Sequence, residues 1–276
     1  MSGTFGLPAS YAGRSGPQTS SGRDEARLQV CGEPANGKWQ FRADRDYDCQ
    51  SPTPNFEQFV NVGANIGYYC CHALQLGLPV VAFEPSQSNL GMLLQNVCIN
   101  GWESRVEVFP VALSRAPGVL NLYGEGTGAS LVPGWSGVPK SYVSRVPVST
   151  LDLVLGTWLI QKRNFFLVDV EGVELAMLNG AFARLDSAAE SAWMIEVCIS
   201  EHLLEGATIN AHALQTFDMF WSRGFSAYTV DGTARLVTPA VIQRILDTGV
   251  DDLGTPNFVF LRNPVASELI AALSIT

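Results

Sequence analysis

Two acids close one apolar run of the sequence, and their types and spacing could do chemistry. The run is Asn164-Phe-Phe-Leu-Val-Asp-Val-Glu-Gly172. A strand that ends this way delivers Asp169 to the carboxyl edge of a sheet, where open α/β folds bind ligands. A carboxylate there can orient an acceptor group or take a proton from it. Glu171 can do the same or cap the following helix. A second run, Ala192-Trp-Met-Ile-Glu-Val-Cys198, brings Glu196 to the same edge, with Glu201 and His202 close behind. Imidazole is the natural proton acceptor near neutral pH, so His202 is a candidate base beside Asp169 and Glu196, with a plain surface role as its alternative.

A third stretch could hold a nucleoside. Phe59-Val-Asn-Val-Gly-Ala-Asn-Ile-Gly-Tyr-Tyr69 reads as a buried strand, a glycine turn and a helix start, with Gly63, Asn65 and Gly67 shaping the turn. Free N–H groups at a helix start favour anionic or polar ligand groups. About twenty residues on, Pro79-Val-Val-Ala-Phe-Glu-Pro85 ends in Glu84, and Pro85 stops the strand so that the carboxylate points into the crevice. A carboxylate at that place accepts hydrogen bonds from both ribose hydroxyls; a solvated Glu after an ordinary turn is the bland alternative. Nicotinamide enzymes carry G-x-G-x-x-G, whose middle glycine admits a pyrophosphate. Here that glycine is absent and Asn65 stands in the turn, which favours S-adenosylmethionine, a donor without a pyrophosphate.

These residues need elements to place them. From Phe59 onward, strand and helix patterns alternate, which predicts a parallel sheet with helices on both faces. Ser88 to Asn100 has helical spacing and stops at Asn100-Gly101. Arg105 to Val111 is a strand, and Gly118 to Tyr123 with Ser144 to Ser149 reads as an added hairpin. The glycine-rich stretch between them, Gly124 to Gly137, holds Ser130 and Trp135 and is flexible enough to cover a site. Helices are expected over Val173 to Leu185, Ala211 to Arg223, Pro239 to Thr248 and Pro264 to Leu273, with strands at Phe225 to Val230 and Asn257 to Arg262. The sum is an open, mostly parallel sheet of about seven strands. Phe217, Phe220 and Trp221 at helical spacing read as core.

The segments VNVGANIGYY (60–69), AFEP (82–85), Asn96, Asn100-Gly101, VALS (111–114), STLD (149–152) and VDVEGVE (168–174) follow in this order. In this order they resemble the FkbM-type methyltransferases, from about Phe59 to Glu196, and the DVEG run is the most specific element. The resemblance implies a Rossmann-like class I methyltransferase fold, S-adenosyl-L-methionine as cofactor, and O-methyl transfer to a hydroxyl of a small molecule or sugar. It also implies a donor site of Asn61, Gly63, Asn65, Gly67, Glu84, Pro85 and Asp169, with Val111 and Ala112 beside the adenine. The family usually has Asp where this chain has Asn61, which removes a charge near the donor's ammonium group. That difference keeps a non-catalytic binding protein with a degraded donor site as an alternative, and a nicotinamide-dependent oxidoreductase is the other.

With 276 residues, 47% of them hydrophobic, the chain can bury a sizeable core. A net charge of −9 and scattered arginines argue against a nucleic-acid partner, because phosphate binding needs a basic face. No apolar run reaches the length of a membrane span, and the first residues lack a signal peptide's pattern, so a cytoplasmic protein is expected. The six cysteines, Cys31, Cys49, Cys70, Cys71, Cys98 and Cys198, have neither C-x-x-C spacing nor a regular framework and read as reduced thiols. No His-rich metal spacing occurs, so no metal site is expected, with a divalent cation shared by Asp169 and a neighbouring acid as the alternative. Residues 1–25 are rich in Gly, Ser, Pro and Thr and read as a flexible arm. Residues 26–58 read as a cap segment, and 59–276 as the methyltransferase domain. Nothing in the pattern identifies the acceptor or the oligomeric state.

Overall fold

The computed structural model describes residues 29–30, 41–42 and 56–262. The arm at 1–25, most of the cap at 26–58 and the helix expected over Pro264 to Leu273 lie outside the described residues. In chain order, β1 (Gln29–Val30) and β2 (Phe41–Arg42) pair antiparallel. Then come β3 (Gln58–Val62), α1 (Tyr68–Gln75), β4 (Val80–Phe83), α2 (Gln87–Ile99) and β5 (Val106–Phe109). Next are β6 (Ala112–Leu113), β7 (Gly118–Tyr123), β8 (Val143–Ser149), α3 (Leu151–Leu155) and β9 (Asn164–Val168). The remainder is α4 (Glu174–Leu178), α5 (Phe182–Leu185), β10 (Ala192–Glu196), α6 (Ala213–Trp221), β11 (Ser226–Thr229), β12 (Leu236–Val237), α7 (Pro239–Thr248) and β13 (Asn257–Leu261).

The main sheet has the order β12-β11-β13-β10-β9-β3-β4-β5. From β5 to β10 neighbouring strands are parallel, and β13 runs antiparallel to both β10 and β11. The sheet has eight strands rather than seven, because the two-residue β12 pairs along the edge of β11. Strand order reverses at β3, with β4 on one side and β9 on the other, so a crevice opens at the carboxyl ends of β3 and β9.

Strand side chains alternate between two buried layers, as a parallel sheet covered on both faces requires. Val60, Val62, Val81, Phe83, Phe166, Val168, Trp193 and Ile195 pack toward α3, α4, α6 and α7, whose Leu151, Met177, Phe217, Phe220 and Ile242 meet them. Phe59, Val80, Ala82 and Leu167 face the other way, against Cys70, Leu74, Leu93 and Val97 of α1 and α2. Phe166 and Trp193 stack 3.9 Å apart, and Phe220 and Phe260 4.0 Å apart. The helical aromatics are core, as their spacing predicted. Among the described cysteines, Cys70, Cys71 and Cys198 are buried free thiols and Cys98 is an exposed one.

The expected hairpin is present: β7 and β8 pair antiparallel from Gly118↔Val148 to Tyr123↔Val143, and β6 joins them as a third strand. The single helix expected over Val173 to Leu185 is two short ones. A Cβ at Gly180 would sit 2.3 Å from the Ser114 carbonyl oxygen, and the Gly180 carbonyl accepts the Asp152 N–H at 3.0 Å. Contact with α3 therefore breaks the helix where the local pattern would continue it.

The tightest point lies at the switch. Gly63 has φ +82°, and a Cβ built on it would stand 1.8 Å from the Asp169 carbonyl oxygen. Gly63→Ala combines a left-handed backbone penalty with a clash against backbone. Chemical denaturation should show a loss of at least about 3 kcal/mol or no folded protein. A variant within about 1 kcal/mol of wild type would show that β3 and β9 do not approach this closely.

Candidate functional site

The glycine turn is built from hydrogen bonds that tie three strand ends together. Gly63 and Ala64 N–H both donate to the Phe83 carbonyl, at 3.0 and 2.9 Å, and Asp169 N–H donates to the Val62 carbonyl at 3.0 Å. Asn65 adopts a left-handed conformation (φ 51°), and its Oδ1 accepts the Ile66 N–H at 2.8 Å. The helix begins only at Tyr68, because Gly67 occupies its N-cap in the left-handed region. A Cβ on Gly67 would approach Leu93 at 3.0 Å, so this glycine serves packing against α2.

Glu84 follows β4 and is buried. Its Oε2 accepts the Asn65 N–H at 2.7 Å, and its Oε1 accepts the Ser86 N–H at 2.8 Å and the Asn89 amide at 3.4 Å. Burial pushes its carboxyl up, and the N–H donors from Ser86 and Asn65 pull it back. The cleft beside it contains about 570 Å³ of empty space, counting the part open to solvent. Gly63, Asn65, Glu84, Pro85, Val111, Ala112 and Asp169 all line it, joined by Asn89 and by Leu122, Ala129 and Leu131 from the inserted sheet and its loop. No lysine or arginine does so among the described residues.

Acids crowd the far end of this cleft. Asp169 is pushed up to about 8, first by burial and then by repulsion from Glu196, Glu171, Glu174 and Glu84. Glu174, fully buried, is pushed up to about 7, chiefly by burial, while its carboxylate holds the Gly172 N–H at 2.8 Å. Burial and then Glu171 raise Glu196, whose Oε1 accepts the Cys198 S–H at 3.6 Å. Among the described residues no group of three His, Cys, Asp or Glu side chains is arranged to hold a metal ion.

The Gly124 to Gly137 loop lies over these acids. Ser130 Oγ donates to the Glu171 carbonyl at 2.5 Å, and Trp135 Nε1 donates to Glu171 Oε2 at 2.8 Å. The Trp135 indole rests on Gly172, where a Cβ would stand 2.5 Å from the ring. Ser136 Oγ meets His202 Nδ1 at 2.9 Å. Glu171, Ser136 and His202 all have positive φ (53°, 47° and 56°), so three strained residues meet in one contact zone.

Not every expected residue reaches the cleft. Glu196 and His202 lie outside its lining, and His202 instead contacts the covering loop. Asn61 points under α1, where its amide donates to Cys70 Sγ at 3.4 Å and its Oδ1 has no partner among the described residues. Gly67 also stands off the lining. Sequence reasoning assigned no role to Asn89 or Glu174. Each carried a signal: Asn89 follows Glu84 by five residues on the first turn of α2, and Glu174 closes the acid-rich VDVEGVE run.

The strand order and the crevice at its reversal are those of a Rossmann-like class I methyltransferase fold. Residues 61–226, more than half of the chain, match the Methyltransferase FkbM domain, and the protein belongs to that family. Similar solved structures include the methyltransferase FkbM from Methylobacillus flagellatus KT, at 18% identity and a TM-score of 0.44. The alignment covers 74% of this chain and 43% of that one. Others are an rRNA methylase from Streptococcus thermophilus (16% identity, 74% and 84% covered, TM-score 0.36) and the precorrin-6y C5,15-methyltransferase from Geobacter metallireducens GS-15 (10% identity, 75% and 80% covered, TM-score 0.37). No curated protein matches the sequence.

The crowding fixes a pH dependence. Asp169 in the folded protein holds its proton up to about pH 8, whereas the unfolded chain releases it near pH 4. Unfolding therefore releases a proton throughout that window, and stability is lost as pH rises through it. The ligand-free protein should melt at progressively lower temperature from about pH 5 to pH 8, and Asp169→Asn should flatten the slope and melt above wild type at pH 8. Parallel curves for the two proteins would remove Asp169 as the strained acid.

Proposed function

We propose that the protein is an S-adenosylmethionine-dependent O-methyltransferase acting on a hydroxyl of a small molecule or sugar. The observation that carries the reading is a cleft lined by a buried, backbone-held carboxylate, Glu84, and a partly buried acid, Asp169, with no cationic side chain of its own among the described residues. A donor with a sulfonium and an ammonium group supplies the missing positive charge. The net charge of −9 supports a small acceptor over a nucleic acid. Among the described residues no helix is long and apolar enough to cross a membrane, and the proposal places the enzyme in the cytoplasm.

When bound, S-adenosylmethionine supplies an electrophilic methyl group on a positively charged sulfur and leaves as neutral S-adenosylhomocysteine. Glu84, oriented by the Asn65 and Ser86 N–H groups, has lone pairs left to accept the ribose hydroxyls. Val111, Ala112, Leu122, Ala129 and Leu131 supply apolar lining for the adenine. Asn61 faces Cys70 under α1 and contributes no contact to the cleft. Asp169 is the base: a cation in the cleft lowers its raised pKa, so it ionises when the donor is present. The acceptor's O–H proton passes to the Asp169 carboxylate as the oxygen–methyl bond forms and the methyl–sulfur bond breaks. Glu196 raises Asp169 through its charge, and His202 steadies the loop through Ser136.

The donor site and the base are separable. Loss of charge-assisted hydrogen bonds worth roughly 1.5–3 kcal/mol each means that Glu84→Ala should weaken S-adenosylhomocysteine binding at least tenfold by calorimetry. Asp169→Asn should bind the product as well as wild type does and lower turnover of a found acceptor about 10²-fold or more. Unchanged affinity in folded Glu84→Ala would move the ribose elsewhere, and wild-type turnover by Asp169→Asn alongside an inactive His202→Ala would make His202 the base.

A further inference from the structure

Behind Trp135 lies a second cavity of about 1210 Å³, counting its open mouth. It adjoins the donor cleft, since Val173 lines both. Its walls come from the segments that follow β9 and β10, at 172–179 and 203–212, and from the covering loop at Val132 and Trp135. These segments leave the carboxyl edge of the sheet next to Asp169 and Glu171, which line the adjoining cleft, so a ligand seated here would reach those acids by extending past Val173.

The chemistry of the walls selects the ligand. Leu175, Leu203, Leu204 and Ile209 join Val132 and Trp135 in presenting alkyl and indole surface, and Leu204 is 43% exposed with nothing covering it among the described residues. Four polar side chains on the same walls are spent on neighbouring backbone, and the other two, Arg115 and His212, are exposed to solvent. The Asn179 amide donates to the Leu175 carbonyl at 2.7 Å, and Asn210 donates to the Cys198 carbonyl at 3.0 Å while accepting the His212 N–H at 2.9 Å. Thr216 donates to the His212 carbonyl at 3.0 Å, and Glu174 holds the Gly172 N–H. A sugar entering this cavity would exchange water for alkyl contacts at several hydroxyls, with only the exposed Arg115 and His212 side chains left uncommitted to replace it. An apolar body gains on the same transfer.

We infer that this cavity holds the acceptor, and that the acceptor is an alcohol or phenol whose hydroxyl stands on an apolar frame, not a sugar. The inference rests on the methyltransferase reading above and narrows it. Trp135, fixed by Glu171 and seated on Gly172, is the wall that divides acceptor from donor, so only the hydroxyl end reaches Asp169.

The test titrates 4-alkylphenols, from 4-methylphenol to 4-butylphenol, and methyl β-D-glucoside into the protein with and without saturating S-adenosylhomocysteine. Affinity should rise about fourfold per added methylene, and the glucoside should give no heat. Leu204→Glu and Ala207→Trp, both at exposed positions on the cavity wall, should each weaken 4-butylphenol at least tenfold and leave S-adenosylhomocysteine affinity unchanged. Affinity independent of chain length, binding of the glucoside, or wild-type 4-butylphenol affinity in both variants would overturn the inference. Failure of the wild type to bind S-adenosylhomocysteine would instead overturn the methyltransferase reading, and the phenol series without it would still judge the cavity.

Discussion

Like charges forced together under burial at the carboxyl edge of the sheet are the constraint on which the site depends. Asp169, Glu171, Glu174 and Glu196 stand around the carboxyl ends of β9 and β10, and Glu84 faces them across the switch point. Burial raises Asp169 and Glu174, and mutual repulsion adds to it. Ionised carboxylates without partners do not persist under burial; they hold protons or find cations. Glu174 finds a backbone N–H and Glu171 an indole, while Asp169 is left on the cleft. The fold thus keeps one acid whose ionisation is governed by what enters beside it.

The close approach of β3 and β9 makes that arrangement rigid. Gly63 admits the Asp169 carbonyl to a distance that a side chain would forbid, and the Asp169 N–H is fixed to Val62. The three-stranded sheet of β6, β7 and β8 contributes the loop that covers the acids. Its strained residue Ser136 contacts His202, and the neighbouring Trp135 contacts Glu171, both partners having positive φ as well. Strain of this kind persists only where surrounding contacts over-determine it. Here the indole of Trp135 on Gly172 supplies such a contact.

Much of this was legible in the chain because the signals were local. Alternating apolar residues located the strands, the glycines and Asn65 located the turn, and Pro85 marked where Glu84 leaves the sheet. What escaped depended on distant partners. Gly180 breaks a helix through Ser114 and α3, which no local period reveals. Strand alternation turns Asn61 away from the layer of Val60 and Val62 and toward Cys70, so its expected place in the donor site was set by motif position more than by side-chain direction. Glu196 ends a strand at the right edge and His202 follows it, yet neither lines the cleft, and His202 instead meets Ser136 of the covering loop. The inner acid Glu174 was visible as a letter in VDVEGVE but not as a charge pressing on Asp169.

If the cleft is an anionic receptacle for a cationic donor, binding must displace protons from its acids. Calorimetry of S-adenosylmethionine binding at pH 7.5, repeated in buffers of different ionisation enthalpy, measures that displacement directly. The account predicts net proton release on binding the sulfonium donor, and less on binding neutral-sulfur S-adenosylhomocysteine, because only the former adds a charge beside Asp169. Tight binding of the donor with no proton release, or with proton uptake, would contradict it.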